Sequence, residues 1–253
     1  MKISVITAVY NRANTIGSAI ESVRAQSHPD VEHIIQDGGS RDGTLDIVRA
    51  AADGEIDLVS EADGGIYDAI NRGIARAKGD VIGLMHSDDF FASPEVLAKV
   101  ANAFTDPLVD GVYGDLEYVR ADDIGKVVRY WRAGSFRNAR LRFGWMPPHP
   151  TLYLRREVFA RFGSYDTSFR IAADYDAMLR YLSGGQVKIA YIPEVMVRMR
   201  LGGESNRSFE RVWLKSREDY RAIRKNGIGG LGTLAAKNLR KLNQFFTKDA
   251  TAP

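Results

Sequence analysis

Four short β-branched runs constrain the first ninety residues: "ISVITAV" at 3–9, "VEHIIQ" at 31–36, "IDLVS" at 56–60 and "VIGLM" at 81–85. Runs this short and this continuously apolar are strands buried on both faces. Between them apolar residues recur at helical spacing, most clearly over 66–78, where Ile66, Ala69, Ile70, Gly73, Ile74 and Ala77 form one stripe. Strand, helix, strand, helix requires crossover connections, and therefore a parallel sheet covered by helices. In such sheets ligands collect beyond the carboxyl ends of the strands.

Each run gives way to a polar turn: "YNRANT", "DGGSRDGT", "EADGGIYDAINRG" and "HSDD". These turns deliver Asn11, Asp37, Asp63, Asp88 and Asp89 to one rim. Asp, Asn and Gly are also ordinary turn and cap residues. Their presence on four consecutive strand ends favours a site over capping. Two adjacent carboxylates repel each other unless a cation or a proton stands beside them. Oxygen ligands suit Mg²⁺ or Mn²⁺, and a magnesium site of one or two carboxylates takes its other ligands from substrate phosphates and water. Asp88 and Asp89 therefore predict a phosphate-bearing ligand held through a divalent metal. Ser93 and Pro94 supply a helix start of their own, so the pair is not needed as a cap.

Beyond residue 110 the pattern changes to "GVYGDLEYV" and "KVVRYW", then "PPHPTLYLRREVF", then a helix beginning near Asp174. No Pro-, Gly- or Ser-rich linker separates this part from the front. One domain is expected over 1–205, followed by a basic helical extension over 206–253. The extension holds eleven Lys/Arg against four Asp/Glu, in a chain of net charge +3. A basic end on a slightly acidic body predicts an anionic surface as partner. Leu231, Leu234, Ala235, Leu239, Leu242, Phe245 and Phe246 fall near one helix face, which suits peripheral attachment to anionic lipid; packing on the domain's own core is the alternative. "GIGGLG" matches G-x-G-x-x-G at Gly227, Gly229 and Gly232, but it follows a helical stretch rather than a strand and reads as a helix-to-helix turn. The absence of cysteine excludes disulfides and thiolate chemistry. No run approaches the roughly 20 apolar residues of a membrane span. The amino-terminal run stops at Tyr10 and Asn11, too short for a signal peptide. The expectation is a cytoplasmic protein, attached if at all to the inner membrane face, with no nucleic-acid partner.

"ISVITAVYNRANTI", "QDGGSRDGT", "DGGIYDAINRGIARAKGD", "GLMHSDD" and "AADYDAML", in this order and spacing, resemble the family 2 glycosyltransferases of GT-A fold. The resemblance implies an α/β fold with a mostly parallel central sheet flanked by helices, here carrying a C-terminal helical extension. It implies transfer of a sugar, with inversion, from a UDP- or GDP-linked donor to a hydroxyl of a glycan or lipid-linked acceptor. The setting would be assembly of a bacterial-type surface polysaccharide or glycolipid. Thr7, Tyr10 and Asn11 would line the nucleotide, Asp37 would bond the base, and Asp63 and Arg72 would sit near the ribose and sugar phosphate. Asp88, then Asp89, would hold Mg²⁺ or Mn²⁺; His86 stands where many members carry the first Asp of D-x-D. The implied general base is Asp174, preceded by Ala173 where the family has Glu. Asp176 shares that helix start but points elsewhere, and is expected to serve the helix end as a favourable negative charge. His149, between prolines, is a candidate on the acceptor side. Gly202, Gly203 and Ser205 resemble the family's loop over the diphosphate. Two other readings stand beside this one. A sugar-1-phosphate nucleotidyltransferase would need a glycine-rich loop where the chain reads "AVYNRANT". A catalytically inactive sugar- or lipid-binding module is permitted by the missing Asp and Glu, and opposed by Asp88, Asp89 and Asp174.

Overall fold

The computed structural model describes residues 1–52, 56–201 and 209–243. The front half runs β1 (Ile3–Val9), α1 (Ile16–Arg24), β2 (Val31–Asp37), α2 (Thr44–Ala51), β3 (Ile56–Ser60), α3 (Ile66–Arg76) and β4 (Val81–Leu84). There follow β5 (Phe90–Phe91), α4 (Val96–Ala103), β6 (Gly111–Val119), β7 (Val127–Trp131), β8 (Tyr153–Arg155), α5 (Arg156–Phe162), α6 (Ala173–Leu182) and β9 (Ile189–Arg200). Two 3₁₀ turns, Asn138–Phe143 and His149–Thr151, lie between β7 and β8. Helices α7 (Phe209–Lys225) and α8 (Leu231–Asn243) complete the described chain.

One sheet runs β3-β2-β1-β4-β8-β6-β9-β5, with β7 paired to β6 off this line. The expected parallel arrangement holds across β1 to β4 and again between β6 and β9. Strand β8 runs antiparallel to both β4 and β6, and β5 and β7 also pair antiparallel, so the second half of the sheet is mixed. Every residue of β1 is buried, as a continuous apolar run at the centre of a covered sheet requires.

Two glycines set close approaches. A Cβ at Gly73 would stand 2.5 Å from Ile6 Cγ2, so α3 closes directly on β1. In β4 a Cβ at Gly83 would stand 2.1 Å from Cε1 of Tyr153, whose ring fills that space without solvent exposure. A glycine inside a strand here marks the seat of a neighbouring ring.

The extension beginning near 206 does not form a separate body. Ala222, Ile223 and Ile228 join the same core as Met178, Leu179 and Leu182 of α6. The helix-to-helix turn expected at "GIGGLG" is present, with Gly227 at φ +66 closing α7. Part of the basic charge is also internal: Asp219 pairs with Lys237 at 2.6 Å and Lys215 at 3.3 Å, and Lys225 lies 3.2 Å from Asp176. The apolar stripe expected on α8 differs in one member. Leu234 packs toward the core and Thr233 and Lys237 are buried, whereas Leu231 and Leu239 are exposed. The side chain of Leu242, and Phe245 and Phe246, lie outside the described residues. Among the described residues no helix is long and apolar enough to cross a membrane.

Gly83→Ala should lower the free energy of unfolding by about 1–3 kcal/mol, the usual cost of overpacking a tight core. Urea denaturation of the two proteins measures it, and an unchanged midpoint would show that Tyr153 has room to move.

Candidate active site

The rim is built by strand ends that hold one another. Asn11 adopts φ +50, a left-handed conformation that Asn tolerates better than most residues. From there its amide N–H donates to Ser40 Oγ at 2.8 Å and its Oδ1 accepts from the Arg41 N–H at 2.9 Å. The turn after β1 is thereby locked to the turn after β2. Asp37 is buried; its Oδ2 accepts from Gly39 N, Ser40 N and Ser60 Oγ at 2.9, 3.0 and 2.7 Å, while Oδ1 has no partner. Asp63 lies against Gly38 and accepts from the Gly65 N–H at 2.8 Å. Arg72 bonds Glu61 and Asp68 at 2.7 and 2.8 Å and the Ala62 carbonyl at 3.2 Å, bracing the turn after β3. Tyr10 is exposed at the edge. Thr7 is fully buried, with its hydroxyl 2.9 Å from His33 Nε2. Asn11 lies past the end of β1.

The adjacent carboxylates part company. Asp88 lines an open cleft together with Asn11, Arg12, Asp42, Arg200 and Leu201. Asp89 is buried, with Oδ1 accepting from the Arg200 N–H at 3.2 Å and Oδ2 unpartnered. Burial first, and then the charge of Asp88, push the Asp89 carboxyl well above the usual carboxylate range. The Arg200 guanidinium donates to the Asp88 carbonyl at 2.7 Å and lies 4.7 Å from the centre of the Phe90 ring. Pairing of β5 with β9 thus pins the turn that presents Asp88. Among the described residues no group of three or more His, Cys, Asp or Glu side chains gathers to form a ready-made metal cage. Gly202, Gly203 and Ser205 lie outside the described residues.

The second half of the site surrounds Asp174 at the start of α6. Helix α3 uses two faces for this. Asp68 and Arg72, four residues apart, brace the rim, while Tyr67 and Asn71, also four apart, reach Asp174 and Tyr165 respectively. Tyr67 Oη donates to the Ile171 carbonyl at 2.6 Å and to Asp174 Oδ1 at 3.3 Å. Asn71 bonds both backbone groups of Tyr165, at 2.8 and 2.9 Å, and the Tyr165 ring stacks on Tyr67. Tyr165 Oη lies 2.8 Å from His149 Nε2, and the His149 and His86 ring centres are 5.9 Å apart. His149, expected on the acceptor side, is close enough to Asp174 to act on its carboxyl, and His86 feels the charges of both Asp88 and Asp174.

Asp174 is half-buried and Asp176 fully buried, on different faces of the helix start. Burial alone would raise the Asp174 carboxyl, but His149, Lys215, Lys237 and the Tyr175 N–H outweigh it and hold it below its ordinary value. Burial takes His149 itself down to about 4, so this imidazole is neutral at pH 7. At neutral pH the positive charge facing Asp174 comes from Lys215 and Lys237. Asp176 stands in the first turn of α6, as expected, but out of water. It accepts from Asn226 at 3.0 Å and Lys225 at 3.2 Å, which ties α6 to the end of α7.

Sequence reasoning did not single out Glu218. Its carboxylate accepts from the backbone N–H groups of Arg170, Ile171 and Ala172 at 2.9, 2.8 and 3.0 Å. A residue of α7 thus holds the loop that leads into α6, binding the two residues before the helix boundary and its cap position Ala172. Within "KSREDY" this glutamate looks like one more charge on a solvated helix face, and no local signal distinguishes it. Tyr67 is likewise not singled out, because its partners Ile171 and Asp174 are more than a hundred residues away, and Lys215 reads as one half of a surface pair with Asp219.

The fold matches solved glycosyltransferase structures. A mannosyltransferase from Pyrobaculum calidifontis, in complex with GDP-Man and Mn²⁺, superimposes with a TM-score of 0.68 at 20% identity, over 93% of this chain and 68% of that one. TarS residues 1–349 from S. aureus, in complex with UDP, gives 0.66 at 20% identity, over 97% of this chain and 72% of that one. A longer TarS chain gives the same score, and this protein spans 44% of its length. A PGL/p-HBAD biosynthesis glycosyltransferase of Mycobacterium bovis is 31% identical over 216 residues, 84% of this chain and 82% of that one. Residues 4–167 match the sequence model of glycosyl transferase family 2, and the chain belongs to that family.

Glu218→Ala should remove about 1–3 kcal/mol of stability, because three backbone donors lose their acceptor. Glu218→Gln, which keeps one carbonyl oxygen, should lose less. Thermal or urea unfolding of the three proteins decides it, and equal stability would show that the loop caps itself.

Proposed function

We propose that this protein transfers a sugar from a nucleoside-diphosphate donor to an acceptor hydroxyl by direct displacement, with Asp174 as the general base. The observation that carries the reading is that Asp88 and Asp174, from segments far apart in sequence, both act electrostatically on His86, whose ring lies 5.9 Å from that of His149. An acceptor hydroxyl is a weak nucleophile at neutral pH, so attack at the anomeric carbon needs a group to take its proton. Asp174 is fit for that role: it is ionised at neutral pH, partly accessible, and oriented by Tyr67. One displacement on the face opposite the leaving diphosphate inverts the anomeric centre.

The donor lies along the rim. The buried, unpartnered Oδ1 of Asp37 supports its assignment to a base N–H; Asn11 lines the cleft, and Tyr10 next to it in the chain is exposed. Asp63 and Arg72 shape the wall near the ribose and sugar phosphate. Asp88 fits a divalent metal of the kind that takes one carboxylate from the protein and its other ligands from phosphate and water. Asp88 would hold the ion and Asp89 stands second behind it. When bound, Mg²⁺ or Mn²⁺ supplies positive charge to the leaving diphosphate. Solved neighbours bind UDP and GDP-mannose, and both UDP- and GDP-sugars belong in the first donor panel. The name of the mycobacterial relative supports a glycolipid or surface-glycan acceptor.

Asp174→Asn keeps the size of the side chain and removes its proton affinity. Transfer should fall by roughly 10²–10⁴ while donor binding survives. Initial rates and a donor titration check this; transfer at the wild-type rate would place the base elsewhere. Because the Asp174 carboxyl lies below its ordinary value, the base is lost only as pH falls through that lowered value. The wild-type rate should show no acid limb from this group above about pH 5.

Asp88→Ala and EDTA should each abolish most donor turnover. Calorimetry of nucleoside diphosphate binding with and without Mn²⁺ isolates the metal's part, and equal affinity in both would assign Asp88 a purely structural role.

A further inference from the structure

Helix α8 is built inside out. Its buried face carries Thr233 and Lys237, with Leu234 beside them, while Leu231 and Leu239 are 70% and 62% exposed. Leu231, Ala235 and Leu239 fall within an arc of roughly 80° at 3.6 residues per turn, so the outward face is a narrow apolar stripe. A helix held by its polar face gains little from burying these leucines on its own domain.

A second segment meets the helix at a seam. The 3₁₀ turn Asn138–Phe143 ends at Gly144, which has φ +71 and where a Cβ would stand 2.4 Å from Lys237 Cα. Only glycine satisfies both conditions, so turn and helix are locked together. Beside that seam Phe143 is 62% exposed, Arg137 and Arg142 are exposed, and Arg140 lies near enough to Arg240 that burial and then this like charge lower the latter's proton affinity. Two independent segments therefore expose large apolar side chains among arginines on adjoining surface, with like charges left facing each other.

We infer that the face formed by the 3₁₀ turn 138–143 and α8 docks on an anionic lipid bilayer. Phe143, Leu231 and Leu239 enter the headgroup boundary, and Arg137, Arg142 and Arg240 meet lipid phosphates. Charge complementarity selects this occupant over a second copy of the chain, since a self-interface here would bring the same arginines against one another. The inner face of the same helix presents Lys237 to Asp219 and toward Asp174. In the glycosyltransferase reading, on which this last step rests, the base then lies about one helix diameter, roughly 10 Å, from the lipid. A lipid-anchored acceptor carries its hydroxyl at that depth.

The test uses the full chain with phosphatidylcholine vesicles, with and without phosphatidylglycerol, read by co-sedimentation. Binding should be at least about tenfold tighter with the anionic lipid, given about 1 kcal/mol per arginine near the surface, and should weaken as salt rises. Two variants divide the contributions: Phe143→Ser with Leu239→Ser removes apolar insertion, and Arg137→Glu with Arg142→Glu reverses charge. Each should lose at least about tenfold in binding while nucleoside diphosphate release in vesicle-free solution is unchanged. All four residues are exposed, so both variants should also keep the wild-type unfolding transition. Equal sedimentation of wild type and variants, or none by the wild type, would overturn the inference. So would a dimer in light scattering that the variants dissolve, which would make the face a self-association surface. Vesicle binding without nucleotide release would sink the catalytic reading and leave the lipid surface standing; the converse would do the reverse.

Discussion

The site depends on β4 being paired on both of its edges. On one side it lies parallel to β1, which brings the carboxyl ends of the front strands to a single rim. On the other it lies antiparallel to β8, with Val81 opposite Arg155 and Ile82 opposite Leu154. In an antiparallel pair, chain leaving the end of one strand runs beside chain entering the start of the other. Continuing that register past β4 brings the neighbourhood of His86 to that of His149, where the two rings stand 5.9 Å apart. Gly83 and Tyr153 make the pairing specific, since the ring occupies the space a side chain at 83 would fill. The rim comes from the parallel edge and the surroundings of the base from the antiparallel one.

This division also explains what could be read from the residues. Strands β1 to β4 and helix α3 are announced by period, by β-branched runs and by polar turns, all local signals, and their boundaries fall within a residue or two of those expected. The contents of the rim, from Asn11 to Asp88, follow from one rule about parallel sheets. The exchange of direction at β8 has no such signature: a three-residue strand carries too little period to say which neighbour it will take. Nor did the residues announce that the Thr7 hydroxyl meets His33 of β2, a partner 26 positions away.

The contact of α6 with α7 was the least legible part. Glu218, Asp219, Lys215 and Lys225 in a basic stretch read as a solvated helix surface, where charged pairs contribute little. Folding places Asp176, Glu218 and Asp219 out of water, where each must be matched by donors or cations. Those matches are specific: backbone N–H groups for Glu218, Lys215 and Lys237 for Asp219, and Lys225 with Asn226 for Asp176. An unmatched carboxylate there would be strongly unfavourable, so α7 has one seating against α6. That seating fixes the backbone two residues before Asp174 and aims two lysines at it. The basic end of the chain is thus partly an internal electrostatic support.

The same logic of matched and unmatched charge separates Asp88 from Asp89. Two neighbouring carboxylates repel each other when both are ionised in one cleft. The chain turns Asp89 inward, where the Arg200 N–H meets one oxygen and burial disfavours its ionised form. Held by Arg200 from the far end of β9, Asp89 orders the turn and leaves Asp88 facing the cleft. A protein that needed only a turn would have no use for the second carboxylate, and one that needed only charge would not bury the first neighbour. In the proposed reading, Asp89 is the support whose own charge burial suppresses, and Asp88 is the single carboxylate offered to a cation shared with a diphosphate.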